Sequence, residues 1–513
     1  MANVMVPQKE FELKFEVEPS TLRRLSRIQP IKAVNKLPKH TTEVSVYFDT
    51  SKHRLHRKGL MLRVRRIGSR HVQTIKTAGN SAPIERSEWE TEISGAKPDL
   101  SMIDGTPLED LITKKVRRRL EPMFETRIRR TTYSLVNNER AIELTIDRGK
   151  IDTGAGSLPV CELELELKRG SKNQLFEIAR TLTHGLPAQV LLKSKAERGY
   201  ELIDGSKDLP VKAIPVHLPV ACNARDGFRV IGFACLKQII DNVPALGSAD
   251  PEGVHQMRVG VRRLRAAMSL FGTLLHDDQT GTIKTELKWL AGELTPAREF
   301  EVLTERVIAP LKKQRRRLPD GVPSFSTALA RKHKAALARA KDAVASARFR
   351  TLTFEAATWL ELGRWMKPED DLVRSRGEVP TEVFAAEQLQ RRYRKVRKRG
   401  KELAQLNAKD RHKLRIQVKK LRYAAEFFGG VFQSKKSMKR QKKFTSALKQ
   451  LQDGLGDLND IAVDERLIAS AGPRNSVFAA GLLTGREEAR EREAMEAATQ
   501  GHGKLVKVKP FWR

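Results

Sequence analysis

Glu10, Glu12 and Lys14 stand at alternate positions in EFELK, and much later Glu162, Glu164 and Glu166 do the same in CELELELK. In an extended strand, residues two apart share a face, with their carboxylates about 6 to 7 Å apart. Two such strands side by side can hold a hard divalent cation. Mg²⁺ suits the arrangement, because it binds through a few carboxylates, keeps several waters and takes its remaining ligands from phosphate. The opposite charge recurs on the same spacing: Arg63 and Arg65 in LMLRVRR, Lys76 in TIK, Arg127 and Arg129 in ETRIRR. Arginine grips phosphate oxygens with a fork of donors, and lysine acts as a point charge. AIELTID aligns Glu143, Thr145 and Asp147 as a further acidic face.

Something must hold these side chains together. Up to about residue 205 the hydrophobic pattern has period 2, as in EVSVYFDT, HVQTIK and SEWETEI, which predicts strands. One charged strand face by itself reads as a solvated surface. Here charges are sorted by sign from strand to strand, whereas a merely soluble sheet does better with the signs mixed. The expectation is an antiparallel β-barrel with a polar lumen, acidic strands on one wall and basic strands on the other, and apolar faces outward under covering helices.

Beyond about residue 225 the period becomes helical. HQMRVGVRRLRAAMSLF from His255 recurs as HKLRIQVKKLRYAAEFF from His412, and LTPAREFEV from Leu294 resembles LGDLNDIAV from Leu455. Spacings of three and seven put His255, Arg258, Arg262 and Arg265 on one helix face, with Met257, Val261, Leu264, Met268 and Phe271 opposite. The second copy repeats this with His412, Arg415, Lys419 and Arg422 over Leu414, Val418, Leu421, Ala425 and Phe428. Two similar bundles, packed as a pseudo-symmetric pair, would join the basic faces into a groove for a linear polyanion. The fold class is therefore α+β: an antiparallel barrel, then an all-α domain. Boundaries are placed at 1–205, a proline-rich linker at 206–224, the helical domain at 225–490 and a basic, flexible tail at 491–513. KKQRRRLPDG and SKKSMKRQKK read as exposed loops or helix ends.

Lysine and arginine number 97 against 62 aspartate and glutamate, a formal charge of +35. That predicts a polyanionic partner. Nucleic acid would bind through phosphate alone, since aromatics are 6% of residues and offer little for base stacking. Cys161, Cys222 and Cys235 form no CxxC pair, which points to neither disulfides nor zinc. No Walker-type loop follows a strand. The apolar run VIGFACLKQII is interrupted by Lys237 and short of a membrane span, and the N-terminal residues lack a signal pattern. A cytoplasmic location is the expectation.

EFELK matches the E-x-E-x-K signature of the CYTH family, the triphosphate tunnel metalloenzymes. YFDT, LRVRR, IKTAG, RSEWE, ELELEL and KSKAERGYEL support the resemblance in family order over residues 8–205. It implies a Mg²⁺ or Mn²⁺ enzyme in which Glu10, Glu12, Asp147, Glu162, Glu164 and Glu166 hold metal. Lys14, Arg63, Arg65, Lys76, Arg127, Arg129 and Lys193 would bind triphosphate, with Lys195 and Arg198 on a segment plugging one end of the tunnel. Glu88 and Glu90 share a face with Arg86 and would bind a second metal or orient water, or form a structural ion pair. The helical half resembles the CHAD domain, associated with polyphosphate binding. It departs from that family's acidic motif in carrying Glu299 and Glu301 in AREFE. The resemblance implies hydrolysis of inorganic tripolyphosphate beside a polyphosphate-binding domain. A granule-targeting protein with weak catalysis, a thiamine triphosphatase and a class IV adenylyl cyclase stay open.

Overall fold

A computed structural model describes residues 7–33, 36–77, 84–248, 250–314, 321–471 and 477–513. The chain divides into two compact units, residues 1–209 with 347–358, and residues 210–346 with 359–513. In the first unit the strands are β1 (Gln8–Glu16), β2 (Lys39–Asp49), β3 (Leu60–Ile67), β4 (Arg70–Thr77), β5 (Glu85–Ile93), β6 (Glu121–Val136), β7 (Ala141–Thr153), β8 (Gly156–Arg169) and the short β9 (Gln189–Val190). They pair antiparallel in the order β5-β4-β3-β2-β6-β7-β8-β1, and a β5–β1 pairing closes the ring. β9 adds to β1 outside that closure. Between β3 and β4, Gly68 supplies the positive φ (60°) that a two-residue hairpin turn needs.

The alternation seen in sequence is the barrel's inside and outside. Phe11, Leu13, Phe15 and Val17 are buried on the outer face of β1, where Phe176 of helix α1 (Lys172–Gly185) packs 6.3 Å from Phe11. Leu62, Val64, Ile75 and Trp89 on the outer faces of β3, β4 and β5 pack under Leu55, Ile103, Leu108 and Val116. Each such side chain, fully buried, contributes about 1.5–3 kcal/mol. Residues 347–358 join this unit although their sequence belongs to the helical half, since Phe354 packs on Phe15 and Phe176. Helix α2 (Lys195–Ile203) starts at a capping box of Ser194 and Glu197, and its Tyr200 donates to Asp49 at 3.1 Å.

In the second unit the repeat copies form α4 (Pro251–Leu270) and α7 (Ala408–Phe428). They lie among α3 (Ala224–Ile240), α5 (Asp278–Leu303), α6 (Thr381–Arg399), α8 (Lys435–Ala471) and α9 (Val477–Lys507). Side-chain caps from Asp250 and Asn407 start α4 and α7. Both apolar stripes are buried, and they meet where Phe271 lies 5.8 Å from Phe428. Two expectations change. The tail is packed: α9 runs to Lys507, and Phe511 and Trp512 are buried against Phe444, because two large aromatics outweigh the basic residues around them. SKKSMKRQKK, as expected of an exposed helix end, opens α8, while residues 315–320 of KKQRRRLPDG lie outside the described residues. The stretch around VIGFACLKQII extends to Ala224–Gly247, apolar and long enough to span a membrane by composition, but 72% of its apolar window is buried inside the protein as a core helix.

Candidate functional site

The barrel encloses a cavity of about 280 Å³ lined, among the described residues, by seven cations and six carboxylates. Register explains who faces whom. Lys14 lies opposite Glu164 and Glu12 opposite Glu166 on the β1–β8 ladder, so these acidic strands are neighbours and do not face each other across the lumen. β7 flanks β8, pairing Asp147 with Glu162 and Glu143 with Glu166. Thus β7, β8 and β1 form a continuous acidic wall, and Arg63, Arg65 and Lys76 on β3 and β4 face the same cavity. The sorting is less strict than expected. β2 contributes Glu43 to the lining, β5 contributes Arg86 and sets Glu88 and Glu90 outside the lining against Arg63, and β6 contributes Arg130.

Charges inside are cross-neutralised. Lys14 lies 2.9 Å from Glu12 and 3.1 Å from Glu164. Burial opposes its charge, but those two carboxylates outweigh burial and hold its pKa above that of an ordinary lysine. Lys76 bridges Glu10 (2.6 Å) and Glu88 (3.0 Å), and its pKa is raised for the same reason. Arg63 stands 3.6 Å from both Glu88 and Glu90, and Arg65 stands 3.6 Å from Glu43. Glu90 also accepts from the Thr74 hydroxyl at 2.9 Å and is half-exposed.

At the other end α2 reaches in. Lys195 Nζ lies 2.8 Å from each of Asp147, Glu162 and Glu164, and Arg198 binds Glu162. Arg130 forks onto Asp147 (2.7 and 2.6 Å) and reaches Glu164 at 3.0 Å. Burial alone would raise the Glu164 carboxyl, but Lys14, Lys195 and Arg130 hold it well below the usual carboxylate range.

Several anticipated residues fall elsewhere. Arg127 and Arg129 are exposed on the outer face of β6, and Arg127 pairs with Glu125. The inward positions are Phe124, Thr126, Ile128 and Arg130. Alternation misleads here because the plug end of the lumen is apolar: Phe124 and Ile128 pack on Ala196, Tyr200, Ile151 and Val160. Lys193 pairs with Glu201 at 2.7 Å and does not line the cavity. Glu162 and Asp147 are anchors for the plug and for Arg130. Tyr47 and Glu43, both lining the cavity, are legible in the sequence only as alternate residues of EVSVYFDT.

For a metal, Glu10, Glu12 and Glu166 remain. Among the described residues no three metal-ligating side chains are drawn together tightly enough to hold an ion. The donors nevertheless fit one. Buried Glu12 Oε1 is ion-paired with Lys14 but accepts no well-directed hydrogen bond, and burial, with Glu10 and Glu12 nearby, pushes the Glu166 carboxyl up against the pull of Lys168. Like-charged hard oxygens of this kind are what Mg²⁺ or Mn²⁺ relieves.

Family models match on both sides of the linker, CYTH domain over residues 8–200 and CHAD domain over residues 231–469. The chain is a CYTH domain followed by a CHAD domain. An inorganic triphosphatase of Haemophilus influenzae is 30% identical over 215 residues, 40% of this chain, and the match spans 57% of that relative's length. An uncharacterized protein of Mycobacterium tuberculosis is 27% identical over 97% of both chains. The crystal structure of a CHAD domain from the plant Ricinus communis is 28% identical, covering 57% of this chain and 96% of that one, with a TM-score of 0.47.

In the CHAD domain the two repeated basic faces converge. Lys419 of α7 lies within electrostatic reach of Arg415, Arg262 and Arg258, and its pKa is pushed down to about 7 by burial and then by those neighbours. Arg258 donates to the Thr295 carbonyl at 2.9 Å, and burial with Arg262 lowers its pKa to about 10. His255, driven to about 4 by burial and by Arg298, is neutral near pH 7, and its buried Nδ1 has no hydrogen-bond partner. Asp460 is a counter-charge, 3.8 Å from Arg415 and 3.3 Å from Arg306, and Glu299 acts on Arg258. His412 is exposed, with Nδ1 2.9 Å from Asn459. Arg422 pairs with Glu426 at 3.2 Å, and Arg265 is exposed.

Proposed function

We propose that the CYTH domain is a metal-dependent triphosphatase acting on inorganic tripolyphosphate, and that the CHAD groove binds longer polyphosphate. The observation that carries the first half is the pairing of a metal-ready acidic corner, Glu10, Glu12 and Glu166, with a ring of cations now resting on carboxylates. Binding exchanges partners. Lys14, Arg63, Arg65, Lys76, Arg130 and Lys195 turn to phosphate oxygens, and the acidic corner is freed for the cation. A bound Mg²⁺ or Mn²⁺ would supply charge neutralisation at the phosphoryl oxygens and a water of lowered pKa.

The residues then act by position. Arginine forks and lysines spread the charge of a loose transition state over the three equatorial oxygens. Water attacks the terminal phosphorus in line, the bond to the bridging oxygen breaks, and orthophosphate and diphosphate separate. Glu90, held by Thr74 at the side of Arg63, orients the water and takes its proton, with Glu88 fixing Lys76 beside it. A cavity of about 280 Å³ is at the small end of ligand sites, about 300–1,000 Å³, and so favours a bare phosphate chain over a nucleotide or thiamine ester.

A second reading, a polyphosphate-targeting protein with weak catalysis, draws on the contrast between a self-neutralised lumen and an under-compensated groove. Phosphate release from tripolyphosphate, ATP, thiamine triphosphate and long-chain polyphosphate, with and without Mg²⁺, separates the readings. Metal-dependent release, greatest with tripolyphosphate and reduced at least about 100-fold in Glu12→Ala, is expected. No metal-dependent release from any of them would leave the targeting role, and cyclic AMP formed from ATP would indicate a cyclase.

A further inference from the structure

Past the groove lies a second group of cations, of which only Arg265 belongs to the repeated faces. On α6, Arg391, Arg392 and Lys395 sit at spacings of three and four, which places them on one helix face. Arg391 and Lys395 are exposed, while Arg392 is only 7% exposed, donates to the Ser269 carbonyl of α4 at 2.9 Å, and has a buried Nε with no hydrogen-bond partner. Arg265 of α4 and Lys420 of α7 complete the group, since Lys420 is within electrostatic reach of Arg392, Lys395 and Arg265. Among the described residues no carboxylate stands within ion-pair distance of any of the five.

Such a cluster is costly to maintain. Burial and Arg391 lower the Arg392 pKa to about 10, and burial with three cations lowers that of Lys420. A buried guanidinium without a carboxylate is expensive unless something anionic completes it. Position says what that is. Arg262 and Arg265 are one turn apart on α4, a rise of about 4.5 Å. Lys419 and Lys420 are neighbours on α7, one reaching each cluster. The two clusters therefore form one track across α4, α7 and α6.

We propose that Arg265, Arg391, Arg392, Lys395 and Lys420 form a second anion subsite continuous with the CHAD groove, so that a long linear polyphosphate engages both while a short one fills only the first. The proposal rests on reading the groove as a polyphosphate site. It assigns chain-length preference to α6, outside the repeated helices.

The full chain is titrated with short-chain polyphosphate, long-chain polyphosphate and duplex DNA across a salt series, with melting temperature as the folding control. Lys395→Gln with Lys420→Gln should weaken long-chain binding about tenfold. It should also lower the salt slope by about 0.7 per cation removed, the value for single-stranded polyanions, and leave short-chain binding unchanged. Unchanged long-chain affinity and slope, or equal weakening of both lengths, overturns the proposal. Weakening confined to duplex DNA overturns it in favour of a nucleic-acid surface. Failure of the groove reading itself has a different signature: Arg262→Gln with Lys419→Gln would leave both chain lengths unaffected.

Discussion

At the scale of single residues, the phase of one strand decides which arginine enters the lumen. Arg129 and Arg130 are adjacent in ETRIRR, and only Arg130 enters the lumen, on Asp147 and Glu164. Arg130→Gln should lower kcat/KM for tripolyphosphate by about 10- to 1,000-fold, since it strips a charged donor from the transition state and unpairs Asp147. Arg129→Gln, on the outer face, should leave it within about two-fold; steady-state kinetics on both variants checks the phase. The acidic and basic side chains of β1, β3, β4 and β8 were legible because their strands alternate cleanly between apolar and charged. Arg130 was not, because an apolar plug lies inside the barrel at that end and makes the inward face of β6 look like an outward one.

At the scale of elements, α2 is the piece on which the lumen's closure depends. Lys195 and Arg198 hold Asp147, Glu162 and Glu164, while the backbone of Gly199 runs so close to β6 that an added Cβ would stand 2.4 Å from the Phe124 ring. Gly199→Ala should therefore push the helix outward or displace Phe124, costing about 1–3 kcal/mol as overpacked cores do. A lowered melting temperature, with higher KM and less-affected kcat, would show that the plug shapes the substrate site. Family resemblance pointed to this segment, but nothing in KSKAERGYEL shows that Glu162 would serve as its anchor instead of as a metal ligand.

At the scale of the whole molecule, the +35 charge is not spread evenly in its consequences. The lumen balances its cations internally, whereas the basic cluster of the CHAD domain leaves Lys419 among Arg415, Arg262 and Arg258 with Asp460 as partial relief. Its folded pKa of about 7 lies below the unfolded value of about 10.4, so between these the unfolded chain holds a proton that the folded chain has lost. Stability from this group accordingly rises from about pH 7 to about pH 10, and is lost as pH falls through 7. Groove charge moves the other way, so polyphosphate affinity should fall as pH rises through about 7. Lys419→Gln should flatten both dependences and raise the melting temperature below pH 7 by about 2–4 °C; thermal melts and binding titrations from pH 6 to 9 test this.

Periodicity and charge sorting by themselves determined a barrel with a polar lumen, a helical half with two copies of one basic face, and most of the cations that line the lumen. These are local properties: a strand alternates and a helix repeats whatever it packs against. Only the tertiary structure decided the rest, because it depends on pairing between distant segments. The β1–β8 register made the acidic strands neighbours, the plug converted Glu162 and Asp147 into anchors, two aromatics tied down a basic tail, and α6 brought Arg391, Arg392 and Lys395 beside Lys420.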